Sequence, residues 1–226
     1  MTFNARRMTA IVVGASIVAS TIWFFGIPHT QAVTVGPNSG GTFTSDATVG
    51  TTAWTTPSNA GASDDADAAV DLAGFQVSQY LKATNYGFSI PAGATIDGIV
   101  VDVERSHRTG GACTGLVDDN AARIVKGGTI GTTNRTTATA WSGTDTYASY
   151  GGASDLWGET WSVADINSSG FGFALSIVEI DNSDCLAEVD HIRITVNYTA
   201  SAGGGGEPNL WGYPQVIYWS WHESLV

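Results

Sequence analysis

Lysine is nearly missing from this chain. Lys82 and Lys126 are the only two in 226 residues, and charged residues make up just 13%. Long amphipathic helices draw on Leu, Glu, Lys and Arg, so this shortage argues against a helical bundle. Cysteine is limited to Cys113 and Cys185, with no CxxC or Cys/His spacing, which disfavours a structural zinc site. There is no G-x-S-x-G elbow for a serine nucleophile. His222-Glu223 opens like a zinc-binding HExxH, but no second histidine follows. No catalytic residue is therefore assigned, and the expectation is a protein that is not an enzyme. Basic residues number nine against 21 acidic ones, for a net charge of −12. Such a surface repels phosphate backbones and excludes nucleic acid as a partner.

What is abundant is glycine, at 28 residues, along with Thr, Ser and Ala. That composition favours strands and turns. Residues 1–32 stand apart. Arg6-Arg7 give a positive start, Thr9 to Ile27 carry no charge, and Thr30-Gln31-Ala32 supplies small residues for cleavage. This pattern reads as a signal peptide cleaved after Ala32. The length of the apolar run also suits a hydrophobic helix retained as a membrane anchor. Either reading places the rest of the chain outside the cytoplasm, secreted or at the cell surface. In that setting Cys113 and Cys185 are expected to pair, each lying in a polar loop after a strand pattern.

Residues 33–200 read as one all-β domain. Ile99, Val101 and Val103 alternate with Asp102 and Glu104 in a strand over 96–106. Phe171, Phe173, Leu175 and Ile177 form a second alternating series, and Ile192, Ile194, Val196 and Tyr198 a third. Period two marks half-buried antiparallel strands. Further strands are expected over 80–90, 121–126 and 147–150, with one helical turn at 162–167 capped by Ser162. The expected fold is an antiparallel two-sheet β-sandwich, of jelly-roll or immunoglobulin-like type. Residues 201–206 form a glycine linker. Residues 207–226 form an aromatic tail with Trp211, Tyr213, Tyr218, Trp219 and Trp221. That tail is a candidate for docking on the domain, on a partner or on a neighbouring copy's sheet edge, where it would drive self-association.

The segment Ser89-Ile90-Pro91-Ala92-Gly93-Ala94-Thr95-Ile96-Asp97-Gly98-Ile99 resembles a signature of β-sandwich modules found in phage virion proteins and exported prokaryotic surface proteins. Asn134-Arg135-Thr136, Trp141, Tyr150-Gly151-Gly152, Asp155-Leu156-Trp157-Gly158, Trp161 and Val189 to Val196 continue it in order, so the resemblance covers about Trp54 to Thr199. It implies a fold and a structural or adhesive setting, with no catalytic residues to carry over. The export segment departs from the virion cases and points to a cell-surface protein.

Two binding chemistries are worth testing against a structure. Asp64, Asp65 and Asp67 cluster after a turn and offer hard oxygen ligands for Ca²⁺, the one cofactor the sequence suggests. Trp141, Tyr147, Tyr150, Trp157 and Trp161 offer flat rings for stacking on a glycan, although tryptophans in a small sandwich more often belong to the core. The leading expectation is a structural or adhesive surface module, whose partner is a glycan or protein at the cell surface. A carbohydrate-binding module and a self-assembling subunit are the alternatives.

Overall fold

The computed structural model describes residues 30–108, 117–137, 139–181 and 183–201. In chain order its strands are β1 (Gln31–Ser39), β2 (Thr42–Asp46), β3 (Ala68–Ala73), β4 (Tyr80–Thr84), β5 (Thr95–His107), β6 (Val117–Lys126), β7 (Thr129–Ile130), β8 (Thr146–Gly152), β9 (Gly172–Glu179) and β10 (Asp184–Ala200). One short helix, α1 (Val163–Asn167), precedes β9. The fold is an all-β arrangement of two antiparallel sheets. The first runs β1-β10-β5-β8, with β3 beside β1 on the same flank of β10. The second runs β2-β4-β9-β6-β7.

Alternation explains the layers. Ile99, Val101 and Val103 of β5 and Ile192, Ile194 and Val196 of β10 turn inward at 0% exposure. Phe173, Leu175 and Ile177 of β9 meet them from the other sheet. A smaller apolar cluster of Tyr80, Ala121, Val125 and Ala174 lies apart from this core. The pairings β3–β10, β4–β9, β5–β8 and β6–β7 nest inside one another, as when one long hairpin folds over itself.

The inward face of β5 continues to a charge. Arg105 is 3% exposed and forms an ion pair with Asp119 of β6, so it ties the two sheets together. Asp119 also accepts from Trp141 Nε1 (2.9 Å), the Thr137 amide (3.1 Å) and the Tyr150 hydroxyl (3.2 Å).

The helical turn forms as the spacing predicts. Ser162 accepts from the Asp165 amide, and the Asp165 carboxylate accepts from the Ser162 amide, so two orphan donors are satisfied. The expected strand over 80–90 is shorter. Asn85, at φ 62°, ends β4 at Thr84, and the Asn85 amide turns away to the Ser169 carbonyl (3.1 Å). Tyr86, Phe88 and Ile90 still bury their side chains beyond it. β1, β2, β3 and β7 lie outside the strands expected from alternation. β1 opens at Gln31, opposite Ala200, just ahead of the expected domain start at 33. The segment expected to form an N-terminal hydrophobic helix lies outside the described residues. Among the described residues, no helix is long and apolar enough to cross a membrane.

Candidate functional site

The outward residues of β5, β8 and β10 form two polar rungs. Register sets Glu104 opposite both His191 and Tyr147, and Asp102 opposite both Arg193 and Ser149. Side chains on one face of neighbouring strands stand close enough to interact. Asp102 accordingly accepts from Ser149 Oγ (2.6 Å) and Arg193 Nε (3.3 Å). His191 is held at both ring nitrogens: Nδ1 shares a hydrogen bond with the Tyr147 hydroxyl (2.9 Å) and Nε2 with Ser39 Oγ (2.8 Å). The Arg193 guanidinium lies 4.0 Å from the centre of the Tyr147 ring, a cation–π contact.

Burial and the nearby Arg193 charge push the His191 pKa down, so its imidazole is neutral at pH 7. Burial, then the Glu104 carboxylate beside it, pushes the Tyr147 hydroxyl up. Tyr147 is nevertheless 36% exposed, as few large hydrophobic side chains are among the described residues. The face thus offers a supported aromatic ring flanked by a neutral imidazole, two serine hydroxyls, an arginine and two carboxylates.

A cleft of about 440 Å³ opens beside this face, within the usual size of ligand sites. Thr146, Tyr147, Ala148 and Ser149 of β8 form one wall, and Thr137, Thr139, Ala140 and Ser142 form the other. Among the described residues, β8 pairs only with β5, so its far edge faces the cleft.

The five aromatic residues expected as a platform are dispersed. Trp141, Tyr150 and Trp157 are 3%, 1% and 0% exposed and belong to the core. Trp157 Nε1 donates to the Ile99 carbonyl (3.0 Å) and Trp141 Nε1 to Asp119, so each indole is satisfied internally. Trp161 is half-buried, edge-on to Phe171 with ring centres 5.4 Å apart. Tyr147 alone of the five retains an open ring.

Asp64, Asp65 and Asp67 do not converge either. The Asp64 carboxylate accepts from the Ala66 amide (3.2 Å), and Asp65 is exposed at φ 61°. Among the described residues, no three His, Cys, Asp or Glu side chains stand together as a metal-ion group. Asp67 is instead a crowded carboxylate. Burial, then Glu188, Asp145 and Asp190, raises its pKa to about 6, with Arg108 as the opposing charge. Its Oδ1 is buried without a hydrogen-bond partner. Because the folded chain holds this proton more tightly than the unfolded chain, Asp67 favours folding below about pH 4. That contribution fades as pH rises through about 6. Asp67→Asn should therefore stabilise the protein at pH 7.5 by about 1 kcal/mol after solvent screening, or about 3 °C in Tm. At pH 4 it should change little. Thermal melts at the two pH values check this, and an equal effect at both would contradict it.

Cys185 is fully buried on β10. Its expected partner, Cys113, lies outside the described residues, as do Trp211, Tyr213, Tyr218, Trp219 and Trp221 of the tail. The partners of His191 were not legible beforehand. The outward phase of β5 and β10 was, but nothing in the sequence says that β1 brings Ser39 alongside. Comparison with protein-family models, with curated proteins and with solved structures found no match.

Proposed function

We propose that this protein is a non-catalytic, extracytoplasmic β-sandwich module that adheres to a hydroxyl-rich surface ligand, a glycan. The observation that carries the reading is the open Tyr147 ring, backed by Arg193 and flanked by His191, Ser39, Asp102 and Ser149. A flat ring takes the apolar face of a sugar, and fixed donors and acceptors around it take the hydroxyls. The nested strand pairing supports the jelly-roll form of the sandwich, an architecture that lectin and capsid domains share. Fold alone carries no function, so the reading rests on the face.

Export and a Cys113–Cys185 bridge belong to the same proposal. The amide of Arg108, last residue before the segment that carries Cys113, donates to the Leu186 carbonyl (2.9 Å), next in sequence to Cys185. That start point favours pairing.

Titration of the exported protein against a panel of polysaccharides tests the proposal. At least one should bind, and Tyr147→Ala should weaken it tenfold or more with the melting temperature unchanged. Binding indifferent to Tyr147, or none on the panel, would overturn the glycan reading. Turnover that His191→Ala abolishes would overturn the non-catalytic one.

A further inference from the structure

Among the described residues, β1, β3, β8, β2 and β7 lie at the sheet edges. β7 has two residues and β2 five. β1 is interrupted by a register shift between Val35 and Asn38, and Pro37 there has no N–H to offer. β3 ends after six residues. β8 remains: seven regular residues, paired without a shift along β5 from Gly152 to Thr146, with a cleft along its far side. A regular, open edge is a template for another strand unless something covers it.

The chain carries a fitting occupant. Val216-Ile217-Tyr218-Trp219-Ser220-Trp221 has no charge and no proline, and is rich in β-branched and aromatic residues. That is the composition of a strand. Its alternation sets Ile217, Trp219 and Trp221 on one side. At about 3.3 Å per residue it would cover about 20 Å of edge, close to the length of β8. Left in water, so apolar a segment would be a liability.

Reach and direction agree. β10 ends at Ala200, and Ser201 lies beside Gly93, in the turn that leads into β5. β5 runs away from this point and β8 runs back toward it, ending at Gly152 opposite Ile99. The gap from Ser201 to that end of β8 is on the order of 20 Å, counting four residues of rise and two or three strand spacings. Residues 202–215, glycine-rich at their start, span up to about 45 Å when extended. A segment arriving from this end runs antiparallel to β8, as do the ladders throughout both sheets.

We infer that Val216–Trp221 adds as an antiparallel strand to the free edge of β8 in the same molecule. It caps the sheet, and it leaves the outward face around Tyr147 and His191 for ligand. The inference is independent of the glycan reading.

Hydrogen–deuterium exchange on the full chain tests it, with the double variant Ile217→Pro/Tyr218→Pro for comparison. One of two adjacent prolines must remove an N–H facing β8, and neither replaces a residue of β1 to β10. Amides of Thr146–Ser149 should exchange at least tenfold more slowly in the native chain than in the variant, at every protein concentration. Equal rates would overturn the inference. So would protection that appears only as concentration rises, because the strand would then come from a second copy.

Discussion

Asp119→Ala should destabilise the protein by about 3–5 kcal/mol, one of the two largest single-residue losses expected here. The side chains of Asp119 and Arg105 are 0% and 3% exposed, so removing the carboxylate leaves a guanidinium enclosed without its counter-charge. The loss spreads further. Trp141 Nε1, the Thr137 amide and the Tyr150 hydroxyl all donate to the same carboxylate. Each would need another acceptor in a place where water has little access. The Arg105 guanidinium also stands 4.9 Å from the Trp141 ring centre, and Tyr150 accepts from it at 2.8 Å, so displacing Arg105 loosens the same two core side chains a second way. A loss of this size lowers Tm by about 10–15 °C. Urea titration should show a reduced midpoint with an unchanged slope. A buried ion pair is costly to break and cheaper to replace whole. The double variant Arg105→Met/Asp119→Leu should therefore recover the part of the loss that comes from the unpaired charge, while the three donors to Asp119 stay unsatisfied. If Asp119→Ala costs less than about 1 kcal/mol, the pair is not enclosed as described.

Arg105 also shows what the sequence made visible and what it did not. The phase of β5 was plain from Ile99, Val101 and Val103, and that phase already places residue 105 on the inner face. A charge at an inner position signals a buried partner, but only the pairing of sheets says that the partner is Asp119. The same holds for the outward face. Asp102, Glu104, His191 and Arg193 could each be assigned to solvent from alternation alone. Their assembly into rungs required knowing that β8 and β10 flank β5. Local signals gave α1 its start because a capping box lies within four residues. β3 gives no clear signal because Ala68-Ala69-Val70-Asp71-Leu72-Ala73 is short and rich in alanine, a residue with no strand preference. Alternation also does not say which tryptophans a sandwich keeps inside, so Tyr147 was grouped with neighbours that the core absorbs.

Trp157→Ala should cost about 3–5 kcal/mol, and Trp157→Phe about 1–3 kcal/mol. The two values separate the volume of the indole from its hydrogen bond. Trp157 is fully buried at φ 58°, with Nε1 donating to the Ile99 carbonyl at 3.0 Å. Its amide donates to Asp155 Oδ1 (2.8 Å), and Asp155 accepts a two-pronged contact from Arg135 Nε (2.6 Å) and an Nη (3.0 Å). The Arg135 contact holds the Asp155 carboxyl below its usual range. Gly151, at φ +73°, leaves room for the indole: a Cβ there would stand 2.5 Å from the Ile99 carbonyl oxygen and 2.6 Å from Trp157 Nε1. Arg135, Gly151, Asp155 and Trp157 brace one another across the β8 end of the first sheet. Alanine at 157 removes the ring and leaves a cavity under Phe173, whose ring centre lies 5.9 Å away. Phenylalanine keeps most of the volume and leaves the Ile99 carbonyl without its donor. Chemical denaturation of the two variants reads both losses. If the proposed glycan binding holds, titration of the folded Phe variant should give native affinity, because the ring reaches no surface. Weakened binding in a variant of native fold would instead return Trp157 to the ligand face.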